Sequence, residues 1–331
     1  DHRSHEHHGA TSQPQGDPGS RAGLRAMRLL FFGSGSFGLP TLRFLSGQHD
    51  VLAVVSQPDR PAGRRHRLTP TPIADYAAET GLPLLRFEDV NADDAATELR
   101  AFDIDAWIVI AFGQKLSQPL LQNRFAINLH ASLLPRWRGA APIHHAVLSG
   151  DTKTGVSVIT LADRMDAGDV LATESLPIAA ADTTGLLHDR LAELGPAIVE
   201  QVLRAHAQGV LVPLPQDEAL ATAAPKLTRK QAQIDRTMPA EVVRGTINGC
   251  APWPGVSVRI HDHQLRLLRA APSSEEQAIG VISSKGVLGC QGGAVAILEV
   301  QPQGGRVMPF EAWARGRRME WPATVQGGGA T

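Results

Sequence analysis

The chain has 331 residues, enough for two domains, and its 43% hydrophobic and 20% charged residues are ordinary for a globular protein with a sizeable core. No apolar run reaches the ~18 residues that span a bilayer, and the opening residues lack a basic-then-apolar secretory pattern, so we expect a cytoplasmic protein without a membrane contact. Only Cys250 and Cys290 are present, which fits a reducing compartment. We interpret both as buried hydrophobic side chains rather than nucleophiles.

The net charge of −1 argues against a general polyanion binder, but the charge is unevenly distributed. From Lys226 onward there are 13 Lys and Arg against 8 Asp and Glu, so this part carries +5 and the rest carries −6. The excess predicts that the C-terminal part contacts an anionic partner, although a modest surplus is also typical of a solvated surface.

The first predicted domain follows a polar, His-rich segment, residues 1–26, which we expect to be disordered. Apolar runs at 28–32, 51–56 and 105–113 then alternate with amphipathic helical patterns. This alternation is typical of a parallel sheet covered on both faces. We therefore predict a Rossmann-like α/β domain over residues 27–208.

The first strand leads into a glycine-rich turn with Gly33, Gly35 and Gly38 in a G-x-G-x-x-G pattern. A dinucleotide site would need an acidic residue at the end of the second strand. Asp59 comes late, after Pro58 and among arginines. We interpret the glycines as packing a tight strand-to-helix turn, and an NAD-dependent enzyme is disfavoured.

The second predicted domain begins after a Pro- and Ala-rich linker, residues 209–230. Five short alternating runs follow between turn residues, which predicts a small OB-like β-barrel over residues 231–318. We expect residues 319–331 to form a flexible tail.

Three polar residues stand out near the ends of predicted strands. Asn128 and His130 end an apolar strand and, two residues apart, project to the same side. Asp166 follows the next apolar strand and is placed to approach His130. An amide and a charged imidazole suit the oxyanion of an acyl-transfer intermediate, with the nucleophile supplied by a substrate. The alternative is a purely structural role, in which these groups satisfy hydrogen bonds at strand ends and turns.

Longer motifs favour the first of these interpretations. "INLHASLLPRWRGAAPI", "RMDAGD", "SQPDRPAGRR", "KLTRKQAQID" and "APWPG" resemble the methionyl-tRNA formyltransferase family from Met27 to about residue 318. The resemblance implies a formyltransferase domain followed by an OB-like tRNA-binding domain. It also implies formyl transfer from 10-formyltetrahydrofolate to the methionine amino group of initiator methionyl-tRNA. The catalytic residues would then be Asn128, His130 and Asp166.

The resemblance further assigns two binding surfaces. Folate would contact the Ser-Leu-Leu-Pro turn and a second loop: Ser132, Leu133, Leu134, Pro135, Phe112, Gly113, Gln114 and Leu116. The tRNA would contact basic side chains in three segments: Arg60, Arg64, Arg65, Arg67, Arg136, Arg138, Lys226, Arg229 and Lys230. A structural ion-pair role for Arg136 and Arg138 is an alternative.

The sequence departs from the family pattern at Ala131, where Gly is usual, at Arg236, where Trp is common, and at Gln114 and Lys115 in the folate loop. Two other functions remain open: formylation of a small amine, such as a glycinamide or amino-sugar nucleotide, and RNA binding by a catalytically dead relative. We expect a monomer that needs no metal.

Overall fold

A computed structural model describes residues 25–63 and 66–327 of the chain. The prediction of a disordered N-terminus falls on residues that lie, except for the last two, outside this range. Arg64, Arg65 and residues 328–331 also lie outside it. No helix in the described part is long and apolar enough to cross a membrane.

The N-terminal domain contains a seven-stranded sheet in the order β5-β2-β1-β6-β7-β8-β9. The first five strands in this order run parallel, whereas β8 and β9 are antiparallel additions at one edge. The strands are β1 (Arg28–Gly33), β2 (Asp50–Ser56), β5 (Leu84–Arg86), β6 (Ala106–Ile110), β7 (Ala126–His130), β8 (Lys153–Thr160) and β9 (Val170–Pro177), and a separate hairpin pairs β3 (Arg60–Ala62) with β4 (Arg67–Thr69).

Helices cover both faces of this sheet, as the sequence predicts. They are α1 (Leu39–Gln48), α2 (Pro72–Thr80), α3 (Asp93–Ala101), α4 (Gln118–Leu121), α5 (Pro142–Leu148), α6 (Thr184–Ala192) and α7 (Gly195–Ala207). Successive residues of one strand enter opposite layers, so Leu29 and Phe31 pack with α1 and α7 while Leu30 and Phe32 pack with α3. The predicted Rossmann-like domain is confirmed.

The glycine-rich turn after β1 is a packing feature. A Cβ on Gly33 would lie 2.7 Å from Cε1 of Phe31 and 3.1 Å from the carbonyl oxygen of Ile110. Gly38 also lies against Phe31 and Ile110. These contacts agree with the interpretation of the glycines as fillers of a tight turn.

The C-terminal domain is a closed barrel of six antiparallel strands in the order β11-β10-β16-β12-β13-β14, closed by pairing of β14 with β11. Its elements are α8 (Ala240–Gly249), β10 (Val256–Ile260), β11 (His263–Ser273), β12 (Val281–Ile282), β13 (Val287–Cys290), β14 (Gly293–Pro302), β15 (Met308–Pro309), α9 (Phe310–Arg315) and β16 (Ala323–Gly327). Buried Phe310 and Trp313 fill the interior. The predicted barrel is confirmed.

The prediction of a flexible tail at 319–331 is wrong for residues 323–327. These residues form β16, which pairs with both β10 and β12 and completes the barrel. Ala323 and Val325 are buried, and Thr324 between them is exposed. Two inward side chains are too short a pattern to predict a strand.

The two cysteines lie inside this domain, as expected. Both are unpaired and buried, and burial raises the pKa of each thiol, Cys250 and Cys290 alike, to about 11. Neither is therefore an ionised nucleophile at neutral pH.

Candidate active site

The site begins where β7 ends at the carboxyl edge of the parallel strands. Ile127 and Leu129 face the core formed with α5 and α7. Asn128 and His130 consequently project from the opposite face of the strand. His130 is buried, and Asn128 is half-buried.

His130 lies between two hydrogen-bond acceptors. Its Nε2 is 2.9 Å from the carbonyl oxygen of Trp137, and its Nδ1 is 3.7 Å from Oδ2 of Asp166. A neutral imidazole has one N–H, whereas an imidazolium has two and can donate on both sides. Both ring nitrogens of His130 therefore face an oxygen, the Trp137 carbonyl on one side and the Asp166 carboxylate on the other.

Asp166 occupies a turn in the left-handed region of backbone space, with φ of +55°. A residue with a Cβ adopts this conformation only when its surroundings hold it there. Oδ2 of Asp166 also accepts a hydrogen bond of 2.8 Å from the Gly139 N–H. This second contact fixes the carboxylate beside His130.

The carboxamide of Asn128 hydrogen-bonds to no other group in the described part of the chain. The side chain is half-buried at the strand end, next to His130. Asn128 and His130 are two residues apart on β7, so their side chains project from the same face at the edge of the sheet. This pair can stabilise negative charge that develops on a substrate oxygen.

The turn after His130 is held by its own polar groups. Ser132 Oγ donates to the Arg136 carbonyl oxygen at 2.6 Å. Ser157 Oγ donates to the Ser132 carbonyl oxygen at 2.7 Å and accepts from the Leu134 N–H at 3.0 Å. Ser132 and Leu134 thus shape the turn from inside. Leu133 and Pro135 stay partly exposed, and one methyl group of Leu133 packs against Gly155.

In the second predicted folate loop, too, most side chains point inward and support the loop. Phe112 and Leu116 are buried in the core. The amide of Gln114 accepts from the Val90 N–H at 2.8 Å and donates to the Phe87 carbonyl oxygen at 3.0 Å. These side chains support the loop, so a ligand would meet its main chain at the exposed Gly113.

Of the predicted RNA contacts, Arg60 and Arg67 lie on the exposed β3–β4 hairpin that follows β2. Arg60 makes an exposed ion pair with Glu88 at 2.8 Å. Lys226, Arg229 and Lys230 are exposed at the end of the linker. Arg64 and Arg65 lie outside the described residues.

Two arginines lie in the Arg-Trp-Arg-Gly segment, residues 136–139, and they differ in exposure and in hydrogen-bond partners. Arg136 is half-exposed, stacks 4.3 Å from the Trp137 ring and forms two hydrogen bonds to Asp151 of 3.0 and 2.7 Å. Hydrogen bonding to Asp151 raises the pKa of Arg136 above its usual value. Arg138 has 12% of its side chain exposed and bonds to Gln216 and Glu218. These bonds fit a structural role for Arg138, and those of Arg136 with Trp137 and Asp151 also contribute to packing. The tRNA contact of both arginines stays a prediction.

Sequence reasoning missed the contribution of the linker. Residues 214–224, called the strap below, lie across the loops that carry Trp137 and Asp166. The Leu214 and Val170 main chains exchange hydrogen bonds of 2.9 and 2.8 Å. Arg138 N–H donates to the Thr222 carbonyl oxygen at 2.8 Å, and Ala224 N–H donates to the Arg138 carbonyl oxygen at 2.7 Å.

Side chains reinforce the strap. Glu218 forms ion pairs with Arg138 at 2.9 Å and Arg164 at 2.6 Å. Hydrogen bonds from Arg138 and then Arg164 lower the pKa of Glu218 to about 2. The strap lies some 50 residues beyond Asp166 along the chain, and no local pattern connects the two. Gly139 was the one signal in the sequence, because only a residue without a Cβ fits under the strap.

Two family models match the chain: Formyl transferase over residues 27–203 and Formyl transferase, C-terminal domain over residues 226–318. A protein named methionyl-tRNA formyltransferase from Acidiphilium cryptum is 42% identical over 295 residues, covering 88% of this chain and 97% of that protein. One of the same name from Moorella thermoacetica is 39% identical over 303 residues, with the same coverage.

The chain belongs to the methionyl-tRNA formyltransferase family. The resemblance predicted from the motifs is thereby confirmed. Solved structures of more distant relatives share its fold. HypX from Aquifex aeolicus in complex with tetrahydrofolic acid has a TM-score of 0.61 at 20% identity, covering 88% of this chain and 47% of that one. The chain thus spans about half the length of HypX.

For a second solved structure, the match covers nearly the whole of that protein. The N-formyltransferase from Helicobacter canadensis, in complex with folinic acid and dTDP-3-aminofucose, has a TM-score of 0.61 at 13% identity, covering 82% of this chain and 98% of that one. In the described part of this chain, no group of three or more His, Cys, Asp or Glu is placed to hold a metal ion.

Replacing Gly139 with Ala is expected to destabilise the fold strongly. Gly139 has φ of +125°, and a Cβ there would lie 2.7 Å from the Ala224 carbonyl oxygen. Gly209 is a matched control, since its φ is +69° and its Cβ would meet nothing within 4 Å. Urea unfolding should show a loss of about 3 kcal/mol for Gly139→Ala, from backbone strain together with overpacking, and a smaller loss of about 1 kcal/mol for Gly209→Ala. Equal losses would contradict the tight packing of the strap on Gly139.

Proposed function

We propose that this protein transfers the formyl group of 10-formyltetrahydrofolate to the α-amino group of initiator methionyl-tRNA. The observation that supports the proposal is that Asn128 and His130 lie at the end of β7, with the Asp166 carboxylate 3.7 Å from Nδ1 of His130, in a chain of the methionyl-tRNA formyltransferase family. Cys250 and Cys290 are buried in the other domain, and Ser132 Oγ is bonded within its own turn. The nucleophile is therefore the substrate amine.

In the reaction, the uncharged amine attacks the formyl carbon and a C–N bond forms. The carbonyl oxygen becomes negative and accepts hydrogen bonds from the Asn128 amide and a ring N–H of His130, which it shares with the Trp137 carbonyl. Asp166 keeps the ring aligned and balances its charge. The bond between the formyl carbon and folate N10 then breaks, the amine loses its proton, and N10 gains one. General acid–base catalysis of this kind contributes about 10²–10⁴-fold.

The folate would lie across the carboxyl edge of the sheet, where open α/β sheets bind ligands. Leu133 and Pro135 would contact it with side chains, and the loop from Phe112 to Leu116 would contact it with main-chain groups. Ser132, Leu134, Phe112, Gln114 and Leu116 would act by fixing these two loops. No metal enters this mechanism.

The tRNA would contact exposed basic groups on both sides of the site. The β3–β4 hairpin with Arg67 leaves the carboxyl end of β2, and Lys226, Arg229 and Lys230 lead into a domain with excess positive charge. Arg136, half-exposed, lies next to the catalytic turn. Binding through phosphates predicts a steep dependence on salt. We expect the enzyme to act as a monomer in the cytoplasm.

The deciding assay measures formyl transfer from 10-formyltetrahydrofolate to charged initiator tRNA, charged elongator tRNA and free methionine. Formylation of the first alone would support both the reaction and the specificity. Equal transfer to a glycinamide or amino-sugar nucleotide would favour the small-amine alternative. Binding of tRNA without transfer would favour a catalytically dead relative.

Asn128→Ala is expected to lower the formylation rate constant kcat by about 10²–10³-fold, because the oxyanion loses one of two donors. Asn128→Asp keeps the volume and shape but has no N–H, so it should be at least as slow. Equilibrium binding of tetrahydrofolate should stay within about twofold of the parent in both variants. Parental turnover by Asn128→Ala would show that this amide has no role in catalysis.

Replacing Arg64 and Arg67 together with Ala is expected to weaken tRNA binding and leave folate binding intact. The slope of log Kd against log salt should fall by about 1 for each phosphate that the variant no longer neutralises. Arg100→Ala is the matched control, because Arg100 ends α3 and lies exposed at the opposite edge of the sheet. An unchanged salt slope in the double variant would argue against this hairpin as an RNA contact.

A further inference from the structure

The strap does more than connect two domains, and Gln216 is its central side chain. Its Nε2 donates to the carbonyl oxygen of Asp166 at 2.8 Å and to that of Gly168 at 2.7 Å. Its Oε1 accepts from Nε and Nη2 of Arg138 at 3.0 and 2.8 Å. Both amide hydrogens and both oxygen lone pairs are thus used, and only this orientation of the amide satisfies all four contacts.

These bonds join the two loops that carry the catalytic contacts. One loop holds Asp166, whose carboxylate faces His130 and accepts from the Gly139 N–H. The other loop holds the Trp137 carbonyl, which accepts from the far side of the same ring. Gln216 hydrogen-bonds to the main chain of the first loop. In the second loop it hydrogen-bonds to the side chain of Arg138, the residue between Trp137 and Gly139.

The Asp166 backbone needs such support. Its φ of +55° is uncommon outside glycine, and Asp adopts it more readily than most residues, so neighbouring contacts decide how firmly the turn is held. A small rotation of this turn would swing the carboxylate away from Nδ1 of His130. Two hydrogen bonds from one planar amide, on the carbonyls of residues 166 and 168, oppose that rotation directly.

We propose that Gln216 is a positioning residue for formyl transfer, holding Asp166 in the geometry that aligns His130. It touches no reacting atom, and it lies between the two segments matched by the family models, at residues 27–203 and 226–318. One side chain of the linker thereby supports the active site without lining it. The catalytic part of this inference rests on the proposed function.

Gln216→Glu is the first test, because it keeps the volume and the bonds to Arg138 but turns the two donor contacts into repulsion between a carboxylate oxygen and the carbonyls of residues 166 and 168. We expect kcat for initiator methionyl-tRNA to fall by about 10–100-fold, the effect of a misplacement on the order of 1 Å, while both KM values stay within about twofold. Gln216→Leu, which removes the polar contacts altogether, should change kcat in the same direction. Asp217→Asn is the matched control on the same strap, and kcat should be parental.

A second readout needs no catalysis. The Gly139 amide donates to Asp166, so its hydrogen exchange reports whether the carboxylate stays in place. Exchange should be at least about tenfold faster in Gln216→Glu, with the Ile108 amide in β6 unchanged and Asp217→Asn like the parent. Parental exchange at Gly139 would overturn the proposal, and so would a rise in KM with kcat unchanged. If the parent does not formylate tRNA, the proposed function fails, and Gly139 exchange alone decides the positioning claim.

Discussion

The Asp166 carboxylate is the contact on which the rest of the site depends. It lies in a turn with disfavoured backbone geometry, accepts the Gly139 N–H, and faces the ring of His130 from the side opposite the Trp137 carbonyl. Without that carboxylate, Nδ1 of His130 would face no oxygen that fixes the orientation of the ring. The loop with Gly139, the strap and the end of β7 all contact Asp166 or its carboxylate, and Oδ2 is the oxygen that faces His130.

The linker between the two domains also packs against the N-terminal domain. The strap adds main-chain hydrogen bonds to β9 and to the Arg136–Gly139 loop, and its side chains tie Arg138 and Arg164 together. A segment that leads to the C-terminal barrel thus also contacts the turn that carries Asp166.

The fold was largely predictable, because continuous apolar strands and alternating runs are local patterns, and Asn128 and His130 could be placed together from the period of one strand. Other features depend on distant partners. The packing of Gln114 and Ser132 inward follows from loop shapes that motifs do not encode. The hydrogen bonds of Arg138 to Gln216 depend on contacts between segments far apart in sequence. The same is true of β16, which has only two buried side chains.

The most direct measurement is the single-turnover rate of formyl transfer by Asp166→Asn. This change keeps the size of the side chain and an oxygen for the Gly139 N–H, but it presents a neutral amide to His130. A rate lower by about 10²–10⁴-fold, with binding of both substrates retained, is the predicted result. A rate within about twofold of the parent would contradict the account, because the imidazole would then need no carboxylate to act.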